Sequence, residues 1–424
     1  MSLWKKVFIG LTLGVLFGLA LQENSIYLKP FGDIFIRLIK MIVVPLIFCT
    51  IVSGITNIHD STVLRRISIK ACLAYLSTTL VAITIGLGVG TILQPGQGIN
   101  LPFNVTPSLE PAQQSSFMKI AETLLNIVPD NAIGAMAQGT ILQVVFFALF
   151  TGITLNSINK ESQKTISEGV QLLSQIVFKM VHFIMQLSPI AAFCLTAWVI
   201  GTQGFDVLKN LLKLILCAYL AFAVQYVVFG LMIFLSTKLS PLPFFRKSIE
   251  YQALAFSTSS SKAALPTTIK VCQEKLGVSK SSSSFVLPLG ASINMDGIAI
   301  YISLCALFFA QATGKIFTLS DYSFIVLTST LGSIGAAGIP GGTIVMLPMV
   351  LASVGLPIDG IALIAGIDRI VDMMRTTISI TGDAAVTLCI DHSEGLLDTQ
   401  KYNSKDKNAF ADITLDVPTS SKAT

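Results

Sequence analysis

Charged side chains and histidines are scarce in this chain of 424 residues. Charged residues make up 12% of it, and histidine occurs only at His59, His182 and His392. These histidines are far apart in the sequence and none lies near a serine or cysteine motif, which argues against a hydrolase. The seven cysteines are scattered through apolar surroundings without metal-ligand spacing, so we expect nearly all of them to be small buried hydrophobic residues.

Several long stretches contain no Asp, Glu, Lys or Arg at all. Hydrophobic residues make up 53% of the chain, and the mean hydropathy is +0.75. The uncharged stretches are 7–22, 71–109, 131–159, 180–205, 214–237 and 322–358. A helix that crosses a bilayer needs about 20 predominantly apolar residues, and all of these stretches except the first exceed that length. The sequence therefore predicts a multi-spanning membrane protein. Continuous hydrophobicity favours helices over the alternating strands of a barrel.

The predicted fold is all-α, with two regions that differ from simple spans. Short apolar pieces at 242–275 and 319–352 flank the helix-breaking centres STSSSKAALP and GSIGAAGIPGGT. These regions predict two re-entrant hairpins, each followed by a span, which is a pattern typical of transporter sites. Ordinary spans with proline kinks are the alternative. Eight full transmembrane helices are predicted, the fourth of them broken, at 3–22, 30–58, 67–94, 130–158, 166–198, 206–237, 284–313 and 356–391.

Basic residues predict the orientation in the membrane. Arg65, Arg66 and Lys70 lie between the second and third spans, whereas residues 71–118 contain no Lys or Arg. The positive-inside rule then places both termini in the cytoplasm. We expect the membrane to be a bacterial inner (cell) membrane. No small-residue cleavage site follows the first apolar segment, so we expect it to be retained as a span. The polar tail at 392–424 is expected to be disordered.

Residues 366–383, GIDRIVDMMRTTISITGD, concentrate five charges in this apolar chain. On a helix at about 100° per residue, four of them and one serine occupy a stripe roughly 80° wide. Three carboxylates against one guanidinium leave the stripe net negative, as a cation site requires. Arg369 lies off the stripe, roughly 100° away from Asp368 on the wheel, but it could neutralise part of the negative charge. A structural salt-bridge cluster is therefore the alternative. The stripe consists of Asp368, Asp372, Arg375, Ser379 and Asp383.

Two further polar groups interrupt predicted spans. In LGASINMDGIAIY (289–301), Asn294 and Asp296 favour local unwinding, and unwound carbonyls with a carboxylate suit a hard cation. In AYLSTTLVA (74–82), Tyr75, Thr78 and Thr79 share one helix face. Taken alone, hydroxyls in a span usually bond back to their own helix or pack against neighbours, so this second group is also open to a structural interpretation.

Taken in order, four motifs resemble those of the dicarboxylate/amino acid:cation symporter family, the glutamate transporter family. They are SSS followed by LP, NMDG, GIPGG and DxxxDxxRTxxxxxGD, and the resemblance covers residues 5–391. It implies a homotrimer with inverted repeats that works as an elevator. Residues 1–66 and 95–205 would form the scaffold, residues 67–94 and 206–391 the moving transport domain, and residues 392–424 the cytoplasmic tail.

The resemblance also implies roles for single residues. Asp372 would hold the α-ammonium of the substrate, and Arg375 would pair with its side-chain carboxylate through a bidentate fork. Other substrate contacts would come from both hairpins and the last two spans, at Ser259, Ser260, Ser261, Ile298, Ile339, Pro340, Gly341, Gly342, Thr343, Thr376 and Ser379.

Three cation sites are implied in the same way. The first would combine Asp383 with carbonyls of Gly290, Asn294 and Ser379. The second would use carbonyls of Ser292, Ser333, Ile334 and Ala336. The third would be built from Tyr75, Thr78, Thr79, Asn294 and Asp296, with Asp368 in a supporting role nearby.

Several positions depart from the family pattern. The family commonly has Asn at Ser379, Thr at Ile298 and Gly at Thr343. Lys262 stands among the serines of the first hairpin, and Arg369 occurs in some relatives, including proton-coupled ones. We expect Lys262, Asp368 and Arg369 to tune the site.

Arg375 and Asp372 together favour aspartate or glutamate as substrate, and the retained Asn294, Asp296 and Asp383 favour sodium as the coupling ion. A proton-coupled glutamate/aspartate or C4-dicarboxylate symporter is the alternative, and cystine-type substrates stay open.

An anion channel is disfavoured because the charges cluster in the last third of the chain. A hydrolase with a hairpin serine and Lys262 as base is disfavoured because no oxyanion motif accompanies it. We expect a transporter in membrane lipid, not an enzyme, without an organic cofactor or a nucleic-acid partner.

Overall fold

A computed structural model describes residues 3–56, 62–98, 125, 127–204, 206–336, 341–358, 361–365 and 367–404 of the chain. Throughout these ranges the regular structure is helical, with no strand. Four helices are long and apolar enough to cross a membrane, or five if one bent pair counts as a single span. The all-helical class is therefore confirmed, whereas the number of eight spans stays a prediction.

The amino-terminal helices pack through small residues. Gly10, Gly14 and Gly18 lie one turn apart on the first helix, α1 (Leu3–Leu21), and face α7 (Ser188–Gln203). A Cβ added to Gly14 would lie 2.7 Å from the carbonyl oxygen of Phe193. Glycine at these positions lets the two backbones approach closely, as is common between helices in membranes. The elements in this part are α1 (Leu3–Leu21), a 3₁₀ turn (Gln22–Leu28), α2 (Lys29–Thr56) and α3 (Thr62–Leu93), with α7 spanning Ser188–Gln203.

The predicted fourth span is broken and the predicted fifth is bent. Gly139, with φ 69°, ends the first half of the fourth, so the expected break is confirmed. The segment predicted as one span at 166–198 is two helices that meet at Leu187 at 50°. Pro189 explains the bend, because it lacks an N–H and its ring clashes with the carbonyl four residues earlier. The elements are α4 (Ala132–Gln138), α5 (Ile141–Leu155), α6 (Lys160–Gln186), α7 and α8 (Asp206–Thr237).

Two pairs of short helices occupy the regions predicted as hairpins. Their members have 12 to 17 residues, and even the longest measures about 26 Å, less than the roughly 30 Å of a bilayer core. The first pair turns at Ser259, which adopts φ 52°. The pairs are α9 (Leu242–Thr258) with α10 (Ser261–Glu274), and α13 (Leu319–Gly335) with α14 (Gly342–Ser353).

The helices that follow the hairpins are interrupted where polar residues gather. The segment between the hairpins breaks at Asn294 and Met295, as NMDG predicted, because Asn294 leaves the helical conformation with φ −112° and ψ 100°. The last span begins as a short helix and restarts at Asp368, whose negative charge suits a helix amino terminus. The elements are α11 (Lys280–Ile293), α12 (Asp296–Ala312), α15 (Ile361–Ala365), α16 (Asp368–Ser393) and α17 (Thr399–Asn403).

The first part of the predicted polar tail packs against the protein. Lys247, 5% exposed, donates from Nζ to the carbonyl oxygens of Lys275, Lys401 and Tyr402 at 2.8–2.9 Å. Tyr402 is fully buried and its hydroxyl donates to a carbonyl before α9. These contacts fix residues up to 404, whereas 405–424 lie outside the described residues.

A salt-bridge group links α3 to the end of α16. Lys70 Nζ donates to Glu394 Oε1 at 2.6 Å, and Arg66 pairs with the other carboxylate oxygen. The hydrogen bond from Lys70 holds the pKa of Glu394 below its ordinary value. Two of the three basic residues that predicted the orientation thus contact the carboxy-terminal end of the last long helix.

Candidate functional site

Four charges at the start of α16 form one neutral cluster. Arg375 donates from Nη2 to Asp372 Oδ1, and its Nη1 lies 4.0 Å from Asp368 Oδ1. Arg369 Nη1 lies 3.6 Å from the other oxygen of Asp372. All four side chains are less than one-tenth exposed. The salt-bridge interpretation is therefore right for this half of the charged stretch, because Arg369 reaches across the three-residue spacing to Asp372.

Asp368 lies in this cluster, beside Arg375. Its described contact is with Arg375, and the supporting role that we expect for it near the third cation site, around Asn294 and Asp296, stays a prediction. Tyr301 of α12 is fully buried, and its hydroxyl has no hydrogen-bond partner among the described residues. Reasoning from the sequence missed Tyr301. A signal existed, since Tyr301 lies four residues after Gly297, on the α12 face that meets Arg375.

The second hairpin contacts the same cluster through its backbone. Gly341 adopts φ 77° and its N–H donates to Asp372 Oδ2 at 3.0 Å. Ile298 borders the neighbouring glycine, because a Cβ added to Gly342 would lie 3.0 Å from Ile298 Cδ1. Thr343 is fully buried and its hydroxyl has no partner in the described part of the chain. The predicted contacts Ile339 and Pro340 lie outside the described residues.

The first hairpin points its serine-rich turn at the level of Arg375. Gln252 of α9 donates to Thr381 of α16 at 3.1 Å, whereas Lys247, earlier on α9, donates to the carbonyl of Lys401, beyond the end of α16. The two helices therefore run antiparallel. At about 1.5 Å per residue, Ser259 lies roughly 10 Å beyond Gln252 and Arg375 roughly 9 Å beyond Thr381 in the same direction.

The serines at this turn have unequal partners. Ser260 caps α10 by accepting from the N–H of Ala263 at 3.3 Å. The hydroxyls of Ser259 and Ser261 are buried and have no hydrogen-bond partner within the ranges that the structure describes. They are therefore polar groups available to a ligand at the hairpin tip.

A second cluster joins α3, the break between α11 and α12, and α16. Thr78 and Thr79 each lie 3.2 Å from Asp296 Oδ1, and their hydroxyls lie 3.5 Å and 3.3 Å from Asn294 Oδ1. The amide of Asn294 donates to Asp383 Oδ1 at 3.0 Å. The structure thus brings together residues from three of the predicted polar motifs.

This second cluster contains two carboxyl groups without a cationic partner among the described residues. Asp296 and Asp383 are both fully buried, and each has one carboxylate oxygen without a hydrogen bond. No ion pair between described residues includes either of them, and their described hydrogen-bond partners are hydroxyl and amide groups. Isolated buried carboxylates are costly unless a cation or a proton neutralises them. The arrangement can therefore bind cations.

The remaining residues of the predicted cation sites are less tightly gathered. The hydroxyl of Tyr75 donates to the carbonyl of Val286 at 2.9 Å and not to a carboxylate. The hydroxyl of Ser292 donates one turn back within α11. Ser333 reaches the helix break by accepting from the N–H of Met295 at 2.9 Å, and Ile334 and Ala336 follow it at the end of α13.

Ser379 connects the two clusters. Its hydroxyl accepts from the N–H of Gly297 at 3.2 Å and donates to the carbonyl of Arg375 at 3.3 Å. Thr376 lies 3.5 Å from Asp372 in the neutral cluster. At Ser379, this chain therefore uses its hydroxyl to satisfy the first turn of α12, which leaves less of that side chain for a ligand.

Lys262, the cation among the hairpin serines, points away from both clusters. Its Nζ lies 3.8 Å from the ring centroid of Phe178 on α6. Phe178 carried no signal in the sequence, because one phenylalanine in an apolar helix is typical of core packing.

A family model described as the sodium:dicarboxylate symporter family matches residues 3–393. A relative from Escherichia coli (strain K12), named proton/glutamate-aspartate symporter, is 36% identical over 417 residues, which cover 94% of each chain. Two relatives are named C4-dicarboxylate transport protein. The one from Azorhizobium caulinodans is 36% identical over 94% of this chain and 90% of its own length. The one from Edwardsiella ictaluri is 35% identical over 92% of each.

Proposed function

The chain belongs to the sodium:dicarboxylate symporter family, and from this premise we propose that it imports aspartate or glutamate together with sodium ions. Membership makes it an integral membrane transporter and not an enzyme. The substrate within the family's range, the coupling ion and the mode of movement are the parts that we propose.

The pairing of Asp372 with Arg375 supports an acidic amino acid over a C4-dicarboxylate. Asp372 and Arg375 pair with each other in this structure. An acidic amino acid can take over both pairings, with its ammonium group on Asp372 and its side-chain carboxylate on Arg375, so neither buried charge is left unpaired. A C4-dicarboxylate that pairs with Arg375 offers only a second carboxylate where the buried charge of Asp372 requires a cation. The names of the relatives cover both substrate classes.

The spacing in the second cluster supports a hard cation. Hydroxyl-to-oxygen hydrogen bonds are usually about 2.7–2.8 Å long, whereas the threonine hydroxyls lie 3.2–3.5 Å from Asn294 Oδ1 and Asp296 Oδ1. Oxygen ligands held about 2.3–2.6 Å from a calcium-sized cation lie roughly 3.3–3.7 Å apart along an octahedral edge. Sodium is of that size and binds through oxygen lone pairs, without a hydrogen-bond donor from the protein. We therefore propose it as the coupling ion. This spacing is the observation that carries the proposal.

We also propose that both clusters move together within a trimeric elevator. The hydrogen bonds described above within and around the two clusters connect one set of helices and the residues at their ends. The helices of this set are α3, α9, α11, α12, α13, α14 and α16. These elements belong to the proposed transport domain, which also contains α8, α10 and α15, whereas α1, α2 and α4 to α7 form the proposed scaffold. The substrate and the ions would thus travel as one body, in a bacterial inner membrane with both termini in the cytoplasm.

Uptake into liposomes tests the proposal. The purified protein is reconstituted, and uptake of labelled L-aspartate, L-glutamate and succinate is measured under a sodium gradient and, separately, under a proton gradient alone. We expect uptake of the two amino acids driven by sodium. Uptake of succinate alone would refute the substrate, and uptake that responds to protons but not to sodium would refute the coupling ion.

Gly290→Ala is expected to weaken sodium binding by about 10- to 100-fold, the range seen when groups around a metal site are displaced. A Cβ at Gly290 would lie 2.5 Å from both Asp383 Oδ1 and the hydroxyl of Tyr75, so it must push the carboxylate out of place. The sodium concentration at half-maximal aspartate uptake measures the effect. Gly88→Ala is the matched control, because nothing lies within 4 Å of a Cβ there. An equal effect of both variants would show that helix flexibility, not crowding at Asp383, matters.

A further inference from the structure

A lysine of the first hairpin contacts a helix of the proposed scaffold. Lys262 lies in the first turn of α10, and its Nζ lies over the ring of Phe178 on α6, 3.8 Å from the centroid. A cation on the face of an aromatic ring is attracted by the ring quadrupole, more strongly where water is excluded. Lys262 is intermediate in exposure, so part of its charge is shielded from water.

The position of Lys262 on its helix explains why the side chain extends away from the hairpin. The amino terminus of a helix carries a partial positive charge, which disfavours an ammonium group close to the axis. Ser260 already caps α10, and Ser261 and Ala263 offer Lys262 no acidic neighbour. The ring of Phe178 therefore provides the partner that the hairpin itself does not.

The second hairpin meets the same stripe of α6. A Cβ added to Gly341 would lie 3.1 Å from the sulfur of Met185. Phe178 and Met185 are seven residues apart, which is about two helical turns, so they lie on one face. Both hairpin tips thus rest against a single stripe of α6, and of the two contacts only the one at Phe178 includes a charge.

We propose that Lys262 is a positioning residue that holds the first hairpin against α6 through Phe178 and so sets the population of the conformation described above. The proposal rests on the proposed elevator, because it assigns α6 to the scaffold and α10 to the moving part. Lys262 acts on the position of the hairpin and not on the affinity for the substrate.

Distances between spin labels test the proposal in the full-length protein. In a variant without native cysteines, labels are placed at Lys164→Cys on α6 and Thr399→Cys on α17, both exposed positions. Pulsed electron paramagnetic resonance then reports the fraction of molecules with the label separation of this structure. We expect Lys262→Gln and Phe178→Leu each to lower the ratio of this conformation to all others by about three-fold to thirty-fold.

Matched variants separate a specific contact from general damage. Lys262→Arg and Phe178→Trp keep a cation and an aromatic face, so they should restore the ratio. The double variant Lys262→Gln/Phe178→Leu should equal either single variant, because each already removes the whole contact. Additive effects of the two single variants would overturn the proposal, as would label distances that none of the variants changes.

Aspartate binding distinguishes this role from direct contact with the substrate. The dissociation constant of L-aspartate, corrected for the measured populations, should be the same in Lys262→Gln and Phe178→Leu. Weaker binding in Lys262→Gln alone would show that the lysine contacts the substrate and would refute the positioning role. The label distances do not depend on which amino acid or ion is carried. A failure of the proposed substrate or ion would therefore appear in liposome uptake and not in these populations.

Discussion

Arg375→Ala is expected to abolish the uptake of aspartate and glutamate. Arg375 is 1% exposed and is the guanidinium that bonds directly to Asp372. Truncating one partner of a buried, hydrogen-bonded charge pair costs about 2–5 kcal/mol, which corresponds to roughly 30-fold to several thousand-fold in affinity. Binding of labelled L-aspartate to the purified variant, measured by scintillation proximity or calorimetry, checks the prediction. Retained aspartate binding would contradict the role that we give to Arg375.

The same substitution unbalances the neutral cluster, so the choice of controls matters. Without Arg375, Arg369 is the remaining guanidinium for the carboxylates of Asp368 and Asp372. Part of any loss could then come from destabilisation of the fold. The double variant Asp372→Asn/Arg375→Gln removes one charge of each sign and should fold as the unmodified protein does, without binding aspartate. Arg375→Lys keeps the charge but loses the bidentate fork, so it should retain weak binding.

The sequence predicted best what depends on neighbouring residues. The break at Asn294 and the turn of the first hairpin follow from local chemistry, since Asn, Asp, Gly and Ser-rich segments disfavour continuous helix. The bend at Leu187 was missed although its cause, Pro189, is equally local. There, hydrophobicity across the whole segment outweighed a single proline in the prediction. The end of α15 at Ala365 and the start of α16 at Asp368 also divide a segment that was predicted as one span.

The division of the charged stretch into two parts was not predictable from a helical wheel. A wheel records the direction of each Cα–Cβ bond, and on it Arg369 lies apart from the stripe. The structure shows that its long side chain reaches Asp372, so the first four charges balance. The contacts of Thr78 with Asp296 and of Lys262 with Phe178 join residues that are distant in the sequence. No periodicity within one helix contains that information.

That division leads to the second large effect, at the other end of the stripe. Asp383→Asn is expected to remove the stabilisation of the protein by sodium. Asp383 is fully buried, its Oδ1 accepts from Asn294, and its Oδ2 has no hydrogen bond from any described residue. Sodium that binds only the folded state stabilises it by about 2.7 kcal/mol at 100 times the dissociation constant. An amide keeps the shape of the side chain but not the charge, so this increment should largely vanish.

The sign of the effect without sodium separates this prediction from simple damage. Removing a buried carboxylate that lacks a cationic partner should leave the melting temperature in sodium-free buffer unchanged or higher. Asp391→Asn, two turns further along α16, is the matched control. Asp391 accepts two hydrogen bonds from Ser279 and lies outside both clusters.

Thermal unfolding of both variants across a sodium titration, with choline chloride holding the ionic strength constant, gives the comparison. Asp391→Asn should lower the melting temperature throughout while the rise with sodium persists. Asp383→Asn should show the reverse, because its lost charge serves the ion and not the fold. A normal rise with sodium in Asp383→Asn would mean that the unpaired carboxylate of Asp383 does not bind the coupling ion, and Asp296 with its two threonines would have to hold it alone.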